Sequence, residues 1–448
     1  MIRPIVLACA SLAVAVAPSA FADNWAQWRG PHFNNHSDEK NLPIEFGAPI
    51  KIVEKEIDGK KKKVADGFAS PPKNIVWEFK MPGRGSSTPC VWGDRIFVTA
   101  QTKDDVRILC VGTDGKERWQ KPIGTPKFYG QYDADHATAS CLTDGKLVWA
   151  FAGSGKLACF DFEGKELWDA DLQKYTEKTG KFRIQFGAHW TPVLYKGKLY
   201  LQVMHQDAQK LVKLDASTGK EEWAVERPGN GKPGASRIES PDVYTSPVIW
   251  EGEGGPLLVS HGNDFCTGHK LDDGAEVWRV MGLNPGGSGQ WRFVSNVMVS
   301  PDLIVVPSCK NGPTVGFNPV GAKGEITPEN KAERWRFKDT PDVVAPLRVD
   351  DVIYLLRDGP IIAIDAKTGT EIYRKNVTQQ THRSNMLYAD GKIYCVGREG
   401  TIDVVQAGRE FKILATSTLP DYILASPAVS NGRIYIRGWD TLWAIGTK

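Results

Sequence analysis

Asp114-Gly-Lys-Glu-Arg-Trp119 is a turn that runs into a tryptophan, and the phrase returns as Glu163-Gly-Lys-Glu-Leu-Trp168, Thr218-Gly-Lys-Glu-Glu-Trp223 and Asp273-Gly-Ala-Glu-Val-Trp278. Thr368-Gly-Thr-Glu-Ile-Tyr373 carries it with tyrosine, and Trp77 and Trp335 hold the same place without the full phrase. Successive aromatics stand 38 to 57 residues apart, from Trp335 to Tyr373 and from Trp278 to Trp335. That period brackets the ~40–50 residues of a four-stranded propeller blade.

Three short β-like runs precede each of these aromatics. The first opens on small or polar residues and turns apolar: Ser87 to Trp92, Ala139 to Leu142, Thr191 to Leu194, Thr245 to Ile249, and likewise from Asn296, Ala345, Asn385 and Ala425. Tight turns such as Thr143-Asp-Gly145 and Ser430-Asn-Gly432 follow, using residues that reach positive φ in hairpins. Two further runs complete each unit, as Leu147 to Phe151 and Lys156 to Phe160 do in the second. Eight such triplets can be counted.

The fourth run, which carries the aromatic, is out of step by one place. A degenerate version, Phe411 to Leu414, serves the seventh unit, and the eighth ends at Lys448 without one. Ile75-Val-Trp-Glu-Phe79 is an orphan fourth run before the first unit. Set beside the C-terminal three, it completes the last blade and closes a ring. The expected fold is therefore all-β, an eight-bladed propeller of four-stranded antiparallel blades over 74–448. A closed ring also removes long open sheet edges. One large flat side chain per blade at one place is an inter-blade packing device, so the tryptophans are assigned to architecture.

Residues 1–22 read as a signal peptide: Arg3, an apolar run from Ile5 to Val16, then Ala20-Phe21-Ala22, with cleavage after Ala22. Cys9 falls too early in the apolar run to favour a lipoprotein signal. The chain is thus expected in the periplasm or secreted. Residues 23–73 form an N-terminal arm with a lysine-rich hairpin, Ile52 to Val64, around Lys60 to Lys63.

The chain carries 56 Lys and Arg against 53 Asp and Glu, a formal net charge of +3. Such a balance gives no electrostatic footprint for nucleic acid. Seven of the eight cysteines follow the leader. Cys90 and Cys110, like Cys141 and Cys159, recur at matching places, but one strand separates the members of each pair. Strand spacing sets them roughly 9–10 Å apart, beyond the ~7 Å between Cα atoms that a disulfide spans. They read as buried apolar thiols.

With these residues in place the chain resembles the pyrroloquinoline quinone (PQQ)-like propellers, a family spanning quinoprotein alcohol dehydrogenases and BamB-type assembly lipoproteins. The Gly-Lys-Glu-x-Trp repeat carries the likeness. Asn24-Trp-Ala-Gln-Trp-Arg-Gly-Pro31, Pro82-Gly-Arg-Gly-Ser-Ser-Thr-Pro89 and Ala425 to Tyr435 resemble motifs of exported members found in planctomycetes and related bacteria. The resemblance implies a quinone seated in the funnel against a disulfide of adjacent cysteines, with Ca²⁺ held by carboxylate and amide oxygens. No two cysteines are adjacent here and no Cys-x-x-Cys-His haem site exists. PQQ with Ca²⁺ is accordingly disfavoured, and no metal or cofactor residue is assigned.

Propeller sites collect where the chain enters each innermost strand. Those positions hold Arg84, His136, His189 with Trp190, Tyr244, Trp291 with Arg292, Asp342, His382 with Arg383, and Tyr422. Guanidinium groups pair with carboxylates or sulfates, aromatic faces stack on pyranose rings, and a neutral histidine accepts a proton. The leading expectation is an exported, monomeric, non-catalytic binding or scaffold protein whose partner is an envelope protein or polysaccharide. The first alternative is a lyase-like carbohydrate enzyme using His136, His189, Tyr244, Arg292 and His382, and the second is a PQQ-dependent dehydrogenase.

Overall fold

The computed structural model describes residues 24–57, 60–129, 134–176, 184–205, 208–227, 242–285, 292–310 and 312–447. The expected leader, Trp291 and the proline- and glycine-rich stretch 228–241 lie outside them.

Eight antiparallel sheets form an eight-bladed propeller. The last is closed as the sequence required: Ile75–Lys80 pairs with Thr441–Ile445, with Trp77 opposite Ala444. Two blades carry a fifth, parallel strand. Gly324–Ile326, from an insertion in blade 5, joins the outer edge of blade 4, and His36–Ser37 joins the innermost strand of blade 7. Ile50–Ile57 and Lys60–Phe68 pair as a separate hairpin, somewhat longer than expected. The fourth strand of blade 7 is Ile413–Thr418, displaced toward the C-terminus from the expected run.

Every blade has a bulge at one place, where the pairing of the third and fourth strands slips by a residue beside the motif aromatic or its substitute. A bulge bends and twists the strand, and here the aromatic leaves the outer strand to lie on the following blade. The indole N–H groups of Trp77, Trp119, Trp168, Trp223 and Trp335 donate to the carbonyls of Thr113, Phe162, Ala216, Leu271 and Ala366 in the next blade, at 2.7–3.1 Å. Trp119 also covers the motif glycine of blade 2: a Cβ on Gly164 would stand 2.7 Å from its Cδ2. Glycine and tryptophan of the repeat are therefore two halves of one inter-blade joint. The apolar core follows suit, as layers between adjacent blades instead of one central mass. All seven described cysteines are free and buried, six of them in those layers.

The innermost strands are shorter than the expected runs. They begin at Cys90, Leu142, Val193, Val248, Met298, Leu347, Leu387 and Ala428, two to three residues late. The leading polar residues are engaged elsewhere, in a belt around the channel. Backbone N–H groups of Thr88, Ser140 and Thr191 donate to the side chains of Ser140, Thr191 and Ser246 in the next blade, at 2.8–3.0 Å. Ser246 donates in turn to Asn296, Ala345 to Asn385 and Asn385 to Ser426. Six of the eight blade junctions are thus laced by one small polar side chain each. Ala345 has no acceptor to offer and leaves a gap.

Residues 24–37 run across one end of the channel. Their backbone accepts from Val91, Thr143 and Tyr388, and Gln27 Oε1 accepts from Leu194 N–H. Arg29 Nη1 donates to the carbonyl of Val297 at 2.5 Å, and a His36 ring nitrogen bonds that of Arg348 at 2.6 Å. This strap touches blades 1, 2, 3, 5, 6 and 7, always beyond the belt on the C-terminal side of the inner strand. Among the described residues no helix is long and apolar enough to cross a membrane.

Candidate functional site: a central cavity closed at one end

Side chains at i and i+2 of an extended chain share a face. Two residues before each belt position stand Ser86, Thr138, His189, Tyr244, Val294, Val343, Arg383 and Leu424. All eight line one central cavity of about 370 Å³, and so do seven of the eight belt positions, every one but Ala345. The cavity is therefore built of two stacked tiers. Trp28 of the strap lines it too, at the closed end, while Phe186, Arg292, Lys310 and Asp342 line it as well.

The two tiers differ in chemistry. The belt tier is hydroxyl and amide throughout, with most of its acceptors engaged in lacing. The upper tier is mixed, and its charge is one-sided: Arg292 and Lys310 of blade 5 and Arg383 of blade 7 face Asp342 of blade 6. Arg292 Nη2 donates to Gln185 Oε1 at 2.5 Å, and its guanidinium lies 5.1 Å from the Phe186 ring centroid. Arg383 donates to the carbonyl of His382 and stands 3.9 Å from Asp358. Lys310 is exposed. Among the described residues three cations stand against Asp342 and, at Arg383, Asp358, an excess of positive charge that favours an anionic group.

His189 and Tyr244 adjoin each other, ring centroids 5.4 Å apart. Burial drives the His189 pKa down to about 4, with the Phe186 backbone hydrogen bond partly opposing, so the ring is neutral near pH 7. Its Nε2 is shut off from solvent and has no hydrogen-bond partner. The Tyr244 oxygen accepts from Phe186 N–H at 3.3 Å, and burial raises its pKa.

Of the residues expected at the mouth, His189, Tyr244, Arg292, Asp342 and Arg383 meet in this cavity. The others serve the scaffold. His136 Nδ1 donates to the Thr125 carbonyl at 2.8 Å, leaving Nε2 to accept from the Tyr129 hydroxyl at 3.1 Å. Trp190 is buried against Phe151, ring centroids 4.8 Å apart. Arg84 stacks over Trp439 at 4.4 Å, Tyr422 packs on Trp439 at 4.3 Å, and Arg398 covers Tyr422 at 5.0 Å. That ladder joins blades 1, 8 and 7 and occupies its own aromatic faces. His382 is 1% exposed and borders a neighbouring crevice. The tier hydroxyls, Lys310 and Trp28 were not anticipated. The belt had a signal, the small polar residue opening each first run; Trp28 had none.

The quinone and Ca²⁺ implied by the family likeness were weighed against this donor set. Asp342 is the single carboxylate among the described residues of the cavity, with Asn296 and Asn385 one tier away. Among the described residues no three His, Cys, Asp or Glu gather where a metal ion could be held. The adjacent-cysteine platform is missing from the sequence itself. On that donor set no residue is assigned to the quinone or to Ca²⁺.

The fold is thus a ring of four-stranded blades around a polar cavity, crossed at one end by the strap. A family model described as outer membrane protein assembly factor BamB matches residues 104–299 and 267–409, and the chain belongs to this PQQ-like β-propeller family. No curated protein matches it. Among solved structures, BamB from Moraxella catarrhalis is 14% identical with TM-score 0.59, covering 83% of this chain and 99% of that one. A quinohemoprotein alcohol dehydrogenase from Comamonas testosteroni is 13% identical with TM-score 0.61, over 84% and 76% of the two chains. A europium-containing methanol dehydrogenase gives 13% and 0.60, over 82% and 85%. At such identities the likeness establishes the fold alone, and activity rests on the site.

Proposed function

We propose that the chain is an exported, monomeric binding protein of the cell envelope that takes the acidic end of a polysaccharide into its central cavity and carries out no reaction there. The observation that carries this reading is the central cavity itself: a belt tier of hydroxyls and amides, a mixed tier with the Ser86, Thr138 and Tyr244 hydroxyls, the Trp28 indole of the strap, and Arg292, Lys310 and Arg383 against Asp342. Guanidinium groups suit carboxylate or sulfate, and a ring of hydroxyls suits sugar hydroxyls. A non-catalytic role is favoured because His189 Nε2 is closed off, His136 is fully hydrogen-bonded and His382 is buried. Family membership supports an envelope setting, and an apolar leader ending in Ala20-Phe21-Ala22 supports export.

Calorimetry with glucuronic acid and its carboxyl-reduced counterpart, glucose, tests the reading. The acid is expected to bind and the neutral sugar to bind at least about tenfold more weakly, a difference that a charge-assisted hydrogen bond supplies. Arg292→Ala should remove most of that preference. Equal affinity for both sugars, or none for either, overturns the assignment.

The lyase-like reading retains one observation, the neutral His189 beside Tyr244. It requires the His189 ring to turn its Nε2 into the cavity. Formation of an unsaturated uronate, followed by ultraviolet absorbance on incubation with polyuronates, would replace the binding-only reading.

A further inference from the structure

Beside the cavity, between blades 6 and 7, lies a second concavity of about 310 Å³. The two adjoin, sharing Asp342, Val343 and Arg383 in their walls. The crevice adds Arg357, Asp358, Arg374 and His382. Its charge is balanced where the cavity's is not. Arg374 is neutralised by Asp339 at 2.5 Å and Glu371 at 2.8 Å, and Asp358 stands 3.9 Å from Arg383. Arg357 forms no ion pair or side-chain hydrogen bond among the described residues, so its guanidinium is the uncommitted donor. Neither ring nitrogen of the buried His382 makes a hydrogen bond among the described residues. Arg357 lines the slot together with Asp358 and Asp342, and a donor set beside carboxylate acceptors suits the paired hydroxyls of a neutral sugar.

From this juxtaposition the geometry points to a second subsite: the crevice holds a neutral pyranose linked to the acidic residue in the central cavity, with Arg383 shared between the two rings and Arg357 setting the preference for the disaccharide. The inference rests on the acidic-glycan reading of the cavity and specifies its ligand as a mixed, acid-plus-neutral oligosaccharide. A chain of acidic residues alone would set a second carboxylate against Asp358 and Asp342.

The test is titration of the mature chain with glucuronic acid, glucuronosyl-xylose and digalacturonic acid. Glucuronosyl-xylose should bind about tenfold more tightly than glucuronic acid, the return of roughly one added hydrogen bond to a charged group, and more tightly than digalacturonic acid. Arg357→Ala should erase that gain while glucuronic acid still binds within about twofold of wild type, and Arg357→Gln, which keeps volume, guards against a folding defect. If the disaccharide gains nothing, or Arg357 variants keep the gain, the subsite is refuted and the cavity reading stands. If glucuronic acid itself fails to bind, the cavity reading falls and takes the subsite with it.

Discussion

Gly164→Ala probes the joint that repeats around the ring. Gly164 has φ +82, and a Cβ there would stand 2.7 Å from Cδ2 and 3.0 Å from Cγ of Trp119. Left-handed backbone costs an alanine about 1 kcal/mol. Displacing the indole adds loss of its 2.7 Å bond to the Phe162 carbonyl, about 1 kcal/mol, and overpacking of about 1 kcal/mol or more. The expected total is about 3 kcal/mol. Gly197 supplies the control: its φ is +72 and nothing lies within 4 Å of its Cβ position. Gly197→Ala should therefore cost only the backbone term, about 1 kcal/mol. Urea unfolding of both variants, read as differences in free energy, isolates the tryptophan seat at about 2 kcal/mol. Trp119→Ala combined with Gly164→Ala should be clearly sub-additive, since the clash is gone. Equal losses in the two glycine variants, or strict additivity in the double variant, refute the joint.

Three further outcomes follow from the ring and its strap. Thr191→Val keeps shape but leaves the buried Ser140 N–H without its 3.0 Å acceptor, and should cost about 1–3 kcal/mol in the same unfolding assay. Arg29 is buried, with one carbonyl partner and a guanidinium 5.7 Å from the Trp28 ring, and burial alone lowers its pKa to about 9. Arg29→Met should be neutral or stabilising by about 1–2 kcal/mol, as replacing buried charge with apolar volume often is; a loss beyond about 2 kcal/mol would show that the strap needs the charge. His189 has a folded pKa of about 4, below its usual value. A histidine held neutral in the fold takes up its proton more readily when unfolded, so its contribution is intact above pH 6.5 and drains away as pH falls toward 4, on the order of 3 kcal/mol. Unfolding measured from pH 7 to 4 should show a slope to which the buried His261 and His269 also contribute, and His189→Gln should reduce it by the His189 share.

The ring was legible because its signal is written eight times. Trp77 alone, standing outside the first unit, was enough to identify the closing strand, and the structure pairs it as required. The cavity was legible only in part, for a reason of period. His189, Tyr244 and Arg383 stand two residues before the belt and face the channel. Arg84, His136 and Tyr422 stand four before it and are held by neighbouring side chains, whereas Arg292 at the same register and Asp342 one residue nearer reach the cavity, so register alone does not decide. His382 stands three before and points to the crevice, one residue from Arg383 and on the other face. Unaligned loop entries carry no marker of that register; the small polar belt residue does. The strap was less legible still. Asn24 to Pro31 reads as a motif, but its crossing of the channel is fixed by contacts with six blades spread from Val91 to Tyr388.

Trp28 lies at the closed end of the cavity, which makes it a reporter for the central claim. The protein labelled with 5-fluorotryptophan, with the Trp28 resonance assigned through Trp28→Phe, can be titrated with glucuronic acid and followed by fluorine NMR. An acid-end ligand lodged in the cavity should move the Trp28 line saturably, with the same midpoint as calorimetry, and Arg292→Ala should shift that midpoint to higher concentration. Saturable calorimetric binding with the Trp28 line unmoved would place the ligand elsewhere on the propeller and contradict a central cavity site.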